Sequence, residues 1–358
     1  MLRYGLIGSG MMGQEHIRNV ALLDGAAVTA VADPDEGMRD GARTLAGCDA
    51  AYADYRDMLS AGDCDAFVIA APNDTHHRIL VDVLAAGKPV LCEKPLCTTT
   101  AHCDEVVALA ARSAAPVWVA MEYRYMPPTE QLIGEVAAGV VGAPMMIAIR
   151  EHRYPFLTKV GDWNRFNRRT GGTFVEKCCH YWDLMRLILK SDPVRVFASG
   201  GIGVNHLDER YDGETPDIID HGFVVVDFAS GARGMLDLCM FGEGSTWQEI
   251  ISVTGPKARV EAVIPRPERF APDHMVPSAQ IIVSDRASMR AETRDVWLDP
   301  TLLHAGDHYG STFFQHRRFR DMVRHGGRPE VTLEDGLWAV RVGEAAEHSA
   351  RSGEAVAL

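Results

Sequence analysis

The stretch VEKCCHYWDL, residues 175 to 184, sets a carboxylate, an amine, two thiols and an imidazole in a run of helical spacing. Three chemistries compete for it: metal binding, thiol nucleophilicity and proton transfer. Cys178, Cys179 and His180 are consecutive, so on a helix they point about 100° apart and cannot converge on one ion. No C-x-x-C or H-x-x-x-H accompanies them in this stretch, and no metal is expected. A thiol nucleophile needs an activating base on its own face, whereas small, apolar cysteine suits helix packing, so both thiols are expected in the core. What remains is Glu176, His180 and Asp183, whose i,i+4 and i,i+3 spacings put them on a shared face.

A second constellation lies at the start of the chain. Gly8, Ser9, Gly10, Met11, Met12 and Gly13 form G-x-G-x-x-G after the apolar run YGLI and before the helical run QEHIRNVALL. Glycines there permit a tight turn and close backbone approach to a pyrophosphate, which the helix N-terminus stabilises. The next apolar run ends in Asp33, where an acid accepts hydrogen bonds from both ribose hydroxyls. Pro34 and Asp35 follow, with no arginine at the strand tip to neutralise a 2′-phosphate, so NAD is expected over NADP; Arg39 is the counterweight.

The elements that must position these residues follow from periodicity. Residues 1 to 120 alternate short apolar runs (YGLIG, AVTAVAD, AFVIAAP, PVLCEKP, PVWVAM) with amphipathic segments, the pattern of an α/β, doubly wound parallel sheet. From about 145 the runs lengthen and carry hairpin signals, as in FVVVDFASGARGMLDLCMF with its turn at Ala229, Ser230 and Gly231. That reads as an α+β part with a mainly antiparallel sheet, covered on one face by a helix over about 171 to 190, and the helical tail from Leu333 is expected to pack back on the body. Two domains are expected, 1–122 and 123–358, and the acidic loop 206–220 is expected to be a solvated excursion. In 358 residues with a formal charge of −13, nucleic acid is an unsuited partner. Apolar runs are too short to span a membrane, and MLRYGLIGSG begins a strand rather than a signal peptide, so the cytoplasm is expected. Eight irregularly spaced cysteines fit reduced thiols.

With Ala71, Pro72, Asn73, Thr75 and His76 after the third apolar run and Glu93, Lys94 and Pro95 after the fourth, the chain resembles the Gfo/Idh/MocA family of sugar and cyclitol oxidoreductases. TGGTFVEKCCHYWD is similar to the family's G-G-G-x-x-x-D-x-G-x-H-x-x-D, with Glu176 at the usual aspartate, Cys178 at the usual glycine and His180 at the catalytic histidine. MEYRYMPP and EDGLWAVRVGEAAEHS resemble the segments that open and close the family's second domain. The resemblance implies hydride transfer between a carbinol carbon and nicotinamide, with Pro72, Asn73, His76, Glu93 and Lys94 on the cofactor. His180 would be the base, near neutrality in pKa; Lys94, its pKa lowered by burial or a neighbouring cation, would share the proton; Glu176 would orient a hydroxyl or His180. A homodimer or homotetramer through the open sheet face is also implied.

Between Arg150 and Lys177 seven basic residues stand against three acidic ones, a local +4. In the family this segment borders the sugar pocket, so an anionic sugar or glycoside is expected. Tyr123, Arg153, Lys159, Trp163, Arg165, Lys177, Asp183, His308 and Tyr309 are the expected substrate contacts. The leading expectation is an NAD-dependent dehydrogenase acting on a secondary hydroxyl. The alternative is a glycoside hydrolase, with a sulfosugar or uronide as substrate, that uses NAD through transient C3 oxidation, elimination, water addition and re-reduction. Such a hydrolase needs one further proton-transfer group.

Overall fold

The computed structural model describes residues 1–113, 115–271 and 275–358. Strands β1 (Leu2–Ile7), β2 (Ala26–Ala32), β3 (Ala50–Tyr52), β4 (Ala66–Ile69), β5 (Val90–Cys92) and β6 (Val117–Val119) form one parallel sheet in the order β3-β2-β1-β4-β5-β6. Helices on both faces bury β4 and β5 completely, which is why these strands read as continuous apolar runs rather than alternations. Strand β3 was not legible: AAY is too short to show a period.

The second sheet contains β7 (Met146–His152), β8 (Pro193–Gly201), β9 (His221–Phe228), β10 (Arg233–Cys239), β11 (Trp247–Thr254), β12 (Ala258–Pro265), β13 (Ala279–Asp285), β14 (Arg290–Val296) and β15 (Val356–Ala357). Its order is β14-β13-β12-β11-β7-β10-β9-β8-β15, antiparallel except where β7 and β10 run parallel. The β9–β10 hairpin turns at the expected residues, closed by Gly231 N–H donating to Phe228 O at 2.9 Å. Alternation along β9 sends Val224, Val226 and Phe228 inward and leaves Phe223 and Val225 exposed. The buried face packs on helices Cys179–Leu189 and Leu333–Ser352, the second of which also touches helix Thr100–Ala110 of the dinucleotide-binding half.

Two expectations are corrected here. The single helix over 171–190 is broken into Thr173–Glu176 and Cys179–Leu189. Gly171 and Gly172 precede the break at φ of 85° and 99°, and Lys177 and Cys178 bridge it. Glu176 and His180 therefore sit on different helices, and the shared-face argument fails for them. The acidic loop is also engaged: Asp220 accepts the backbone N–H groups of Gly203, Val204 and Asn205 at 3.1, 2.8 and 2.8 Å, and Glu209 pairs with Arg165 at 2.8 Å.

Glu347, on the closing helix, holds the start of this broken segment. Its Oε1 accepts the Phe174 N–H at 3.0 Å, and a Cβ built on Gly172 would fall 2.3 Å from the Glu347 carboxyl. Gly172→Ala combines that clash with a left-handed backbone, at an expected cost on the order of 2 kcal/mol. Differential scanning calorimetry should show Tm lowered by several degrees, with turnover reduced because the His180 helix shifts. Gly244→Ala, whose Cβ would meet nothing within 4 Å, should leave both unchanged.

Candidate active site

One cavity of about 730 Å³ runs from the glycine turn to His180. At its dinucleotide end, helix Met11–Ala21 starts at Gly10 with no side-chain cap and no acid in its first turn, so its leading N–H groups remain available to an anion. A Cβ on Gly10 would meet nothing within 4 Å, leaving room for a pyrophosphate, whereas one on Gly13 would lie 2.2 Å from Gly8 O. Gly13 therefore lets the helix rest on the turn and does not itself line the cavity. Ser9 is buried, and its N–H donates to Asp33 Oδ2 at 2.7 Å; Asp35 N–H donates to Asp33 Oδ1 at 2.9 Å. Each Asp33 oxygen keeps acceptor capacity for a ribose hydroxyl. Arg39 is tied back to the Asp33 carbonyl at 2.8 Å. These features fit a dinucleotide.

Pro72, Asn73, Glu93 and Lys94 line the cavity with Met11 and Met12. His76 does not: its buried ring lies between Pro95 O at 2.8 Å and Ala71 O at 3.0 Å, where it fastens together the loops that follow β4 and β5. Burial pushes its pKa down, in keeping with a neutral structural imidazole.

At the other end Lys94 Nζ donates to the backbone carbonyl of Glu176 at 3.0 Å. Burial opposes its charge, but Glu176, Glu93 and Glu122 reverse that effect and leave the Lys94 pKa above its ordinary value, the opposite of the sequence expectation. His180 behaves otherwise. Burial, reinforced by Lys94, Lys177, His308 and Arg153, drives its pKa well below the imidazole range, and the ring stacks on Tyr123 with centroids 4.0 Å apart and planes 5° from parallel. Glu176 is buried, and although burial alone would raise its pKa, Lys94, Lys159 and Arg153 hold it low. The site thus pairs a charged amine with a neutral imidazole across a carboxylate. Cys178 and Cys179 are core residues: burial raises both thiols, and Cys179 Sγ donates to Glu176 O at 3.4 Å.

Of the expected substrate contacts, Arg153, Lys159, Trp163, Lys177 and His308 line the cavity with Lys94, Glu176 and His180. Lys159 Nζ lies 3.6 Å from Glu176 Oε1 and 4.5 Å from the Trp163 ring centroid. Four residues lie elsewhere. Tyr123 stands behind His180 and receives a 2.5 Å hydrogen bond from Lys177 Nζ. Asp183 lies in a buried pair with Arg124 instead, closed by a 2.6 Å bond from Arg124 Nε. Arg165 is buried against Glu209, and the Tyr309 hydroxyl accepts the Ala279 N–H at 3.2 Å.

Sequence reasoning missed Glu15, Glu122 and Tyr154, which also line the cavity. Glu15 follows the glycine motif by two residues, but nothing local marked it as facing the same space as His308. Glu15, Glu122 and His308 are the one group among the described residues whose donor atoms lie within 4.8 Å of one another as a metal site would need, and there the His308 proton already balances the two carboxylates. A segment contact was missed as well: Arg169 Nε meets Asp74 Oδ2 at 2.6 Å, joining the basic segment to the loop after β4.

A parallel dinucleotide-binding sheet whose cavity leads to a lysine and a histidine beneath a second, open sheet defines an NAD-dependent oxidoreductase. Comparison with known proteins agrees. Residues 2–121 match the model of the oxidoreductase family's NAD-binding Rossmann fold, and residues 133–358 match that of its C-terminal alpha/beta domain. The chain belongs to the Gfo/Idh/MocA family. It is 26% identical to a myo-inositol 2-dehydrogenase of Thermotoga maritima, over 100% of this chain and 98% of that protein. An inositol 2-dehydrogenase of Pseudomonas fluorescens is 34% identical over 54% of this chain and 56% of its own length. An oxidoreductase from Agrobacterium radiobacter, solved with NAD+, L-tartaric acid and magnesium, shares the fold at a TM-score of 0.81 and 18% identity, covering 99% of this chain and 98% of that one.

Because Gly13 sets the distance between helix and turn, Gly13→Ala should displace the helix N-terminus. NADH affinity, measured by fluorescence titration, is expected to fall at least about tenfold, the loss of roughly 1.4 kcal/mol of binding.

Proposed function

We propose that this protein transfers a hydride between a secondary hydroxyl of a cyclitol or sugar and NAD. When bound, NAD supplies the hydride acceptor. The carrying observation is that Lys94, held by the Glu176 carbonyl at 3.0 Å, and His180 line the far end of the cavity that begins at the glycine turn, where burial and neighbouring charges raise the lysine pKa and lower the histidine pKa. Neutral His180 takes the carbinol proton, and the Lys94 ammonium faces the oxygen as negative charge develops on it. Glu176 keeps Lys94 charged, its carbonyl fixes the Lys94 amine, and Tyr123 holds the imidazole plane.

The chemistry of the pocket wall supports a neutral polyol more than the anionic sugar expected from charge counting. Arg165, Arg168 and Arg169 pair with Glu209, Glu214 and Asp74, and Lys177 pairs with Glu151 at 2.9 Å. Arg153 and Lys159 face the cavity, yet each also has a carboxylate neighbour, Glu151 at 3.4 Å and Glu176 at 3.6 Å. The inositol dehydrogenases among the relatives point the same way. One observation favours the hydrolase as second reading: Lys159 lines the cavity 3.6 Å from Glu176 Oε1, and burial lowers its pKa below that of an ordinary lysine, which makes it a candidate for the further proton-transfer group. Assays of cyclitols, free sugars and nitrophenyl glycosides with NAD separate the two. NADH accumulating without nitrophenol fits the dehydrogenase; nitrophenol released over many turnovers without NADH accumulating would replace it with the hydrolase.

We further infer a homodimer or homotetramer built on the exposed face of the second sheet. Phe197, Val225 and Met235 are exposed neighbours in register across β8, β9 and β10, with exposed Phe223 beside them. The eight free cysteines fit a reducing compartment such as the cytoplasm.

Three outcomes are expected. His180→Asn should lower kcat by about 10² to 10⁴ with NADH affinity unchanged, and the wild-type kcat/KM for oxidation should fall only in acid, below the ordinary imidazole range, because the base is neutral until then. Val225→Asp, measured by light scattering after gel filtration, should yield a monomer.

A further inference from the structure

The cavity wall at Asp307 and His308 comes from neither sheet but from the connection before helix Ser311–His325. His308 is clamped there by two other segments. Its Nδ1 lies 2.8 Å from Glu15 Oε1, on the dinucleotide helix, and 3.5 Å from Glu122 Oε1, in the 3-10 turn Glu122–Tyr125 after β6. Thr312 Oγ1 stands between the two acids, 2.8 Å from Glu15 Oε1 and 2.6 Å from Glu122 Oε2, and its one hydrogen can serve either. Glu15, held ionised, accepts only, so Nδ1 carries a hydrogen and the ring cannot turn over without setting carbon against it; burial and the neighbouring acids Glu93 and Glu15 raise the Glu122 pKa. The other nitrogen, Nε2, has no hydrogen-bond partner among the described residues, in a side chain that lines the cavity and is 23% exposed. The neighbouring amines are already occupied: Lys177 by Tyr123 and Glu151, Lys94 by Glu176 O, Lys159 by the Glu176 carboxylate. His308 is one ring removed from the base, since its centroid is 6.2 Å from that of Tyr123, which stacks on His180.

We propose that His308 is a specificity-determining residue whose Nε2–H donates to a substrate oxygen beside the reacting carbinol, selecting polyols that carry that oxygen over their deoxy analogues. The inference rests on the dehydrogenase reading and adds to it which group reads the substrate. A donor built to meet an oxygen rejects the analogue lacking it, because the donor is then left desolvated and unpaired. The charge that strengthens this donor is stable. Burial disfavours it, but Glu15 and Glu122 lift the His308 pKa to about 10, while Glu15 itself is held down at about 2, mainly by His308 against its own burial. The remaining groups that face it are Glu93, Tyr154 and neutral His180.

The test uses the full-length protein with NAD and a panel of myo-inositol, scyllo-inositol and glucose, followed by the monodeoxy analogues of whichever is oxidised fastest. In the wild type one deoxy position should be disfavoured about 100-fold in kcat/KM. His308→Leu should raise KM for the parent at least tenfold, leave NADH affinity intact and erase discrimination at that one position; His308→Gln, which keeps a donor, should restore part of it. Unchanged discrimination in a folded, NADH-binding His308→Leu protein would overturn the proposal. If that variant does not fold, Glu15→Gln decides: with one carboxylate gone the proton should leave nearer neutrality, so KM should climb between about pH 7 and 9 in the variant and stay level in the wild type. Level KM in both would equally overturn it. A wild type that makes no NADH from any polyol would defeat the dehydrogenase reading itself, and this proposal with it.

Discussion

The ammonium of Lys94 reaches from the end of β5 in the parallel sheet to the backbone carbonyl of Glu176, at the break between two helices of the second half. That single hydrogen bond ties the dinucleotide-binding half to the broken helix at the point where chemistry is proposed. It requires the helix to stop, because an uninterrupted helix would use the Glu176 carbonyl for its own ladder. Gly171 and Gly172 at positive φ begin the short helix, the Glu347 carboxylate accepts the Phe174 N–H exposed in its first turn, and Lys177 and Cys178 separate its end from the helix that carries His180. Burial raises the Glu347 pKa to about 7, so this support has a cost in desolvation.

Charge balance around Glu176 and Glu151 follows from the same arrangement. Glu176 lies among Lys94, Lys159 and Arg153, while Glu151 is shared by Lys177 and Arg153 and faces Glu249 across strands β7 and β11. Two buried carboxylates opposite each other repel, and burial together with Glu151 pushes the Glu249 pKa up. The cations that sequence counting assigned to a substrate anion are thus largely consumed by the protein's own acids. His180 gains from the imbalance in the other direction: surrounded by amines and a guanidinium, it is kept neutral and able to accept a proton.

A third group, Glu15, Glu122 and His308 with Thr312, joins the dinucleotide helix, the turn after β6 and the segment before Ser311–His325. Glu15, Glu122 and His308 are far apart in sequence, yet they line the same cavity as the glycine turn. A site assembled from both halves in this way makes cofactor and substrate recognition parts of one electrostatic arrangement.

The sequence by itself determined the parallel sheet, the glycine turn with Asp33, the hairpin at Ala229 to Gly231 and the presence of Lys94 and His180, because each is signalled by local periodicity, turn chemistry or motif order. Strand β3 was too short to show a period, and the position of β7 between β10 and β11 depends on pairings distant in sequence. Only the tertiary structure decided which charged side chains face the cavity. Asp183, Arg165 and Tyr309 satisfy distant partners instead, His76 fastens loops, and Lys94 gains rather than loses basicity. The physical reason is that burial and long-range pairing set both the direction and the protonation of a polar side chain, and neither quantity is encoded in its immediate neighbours.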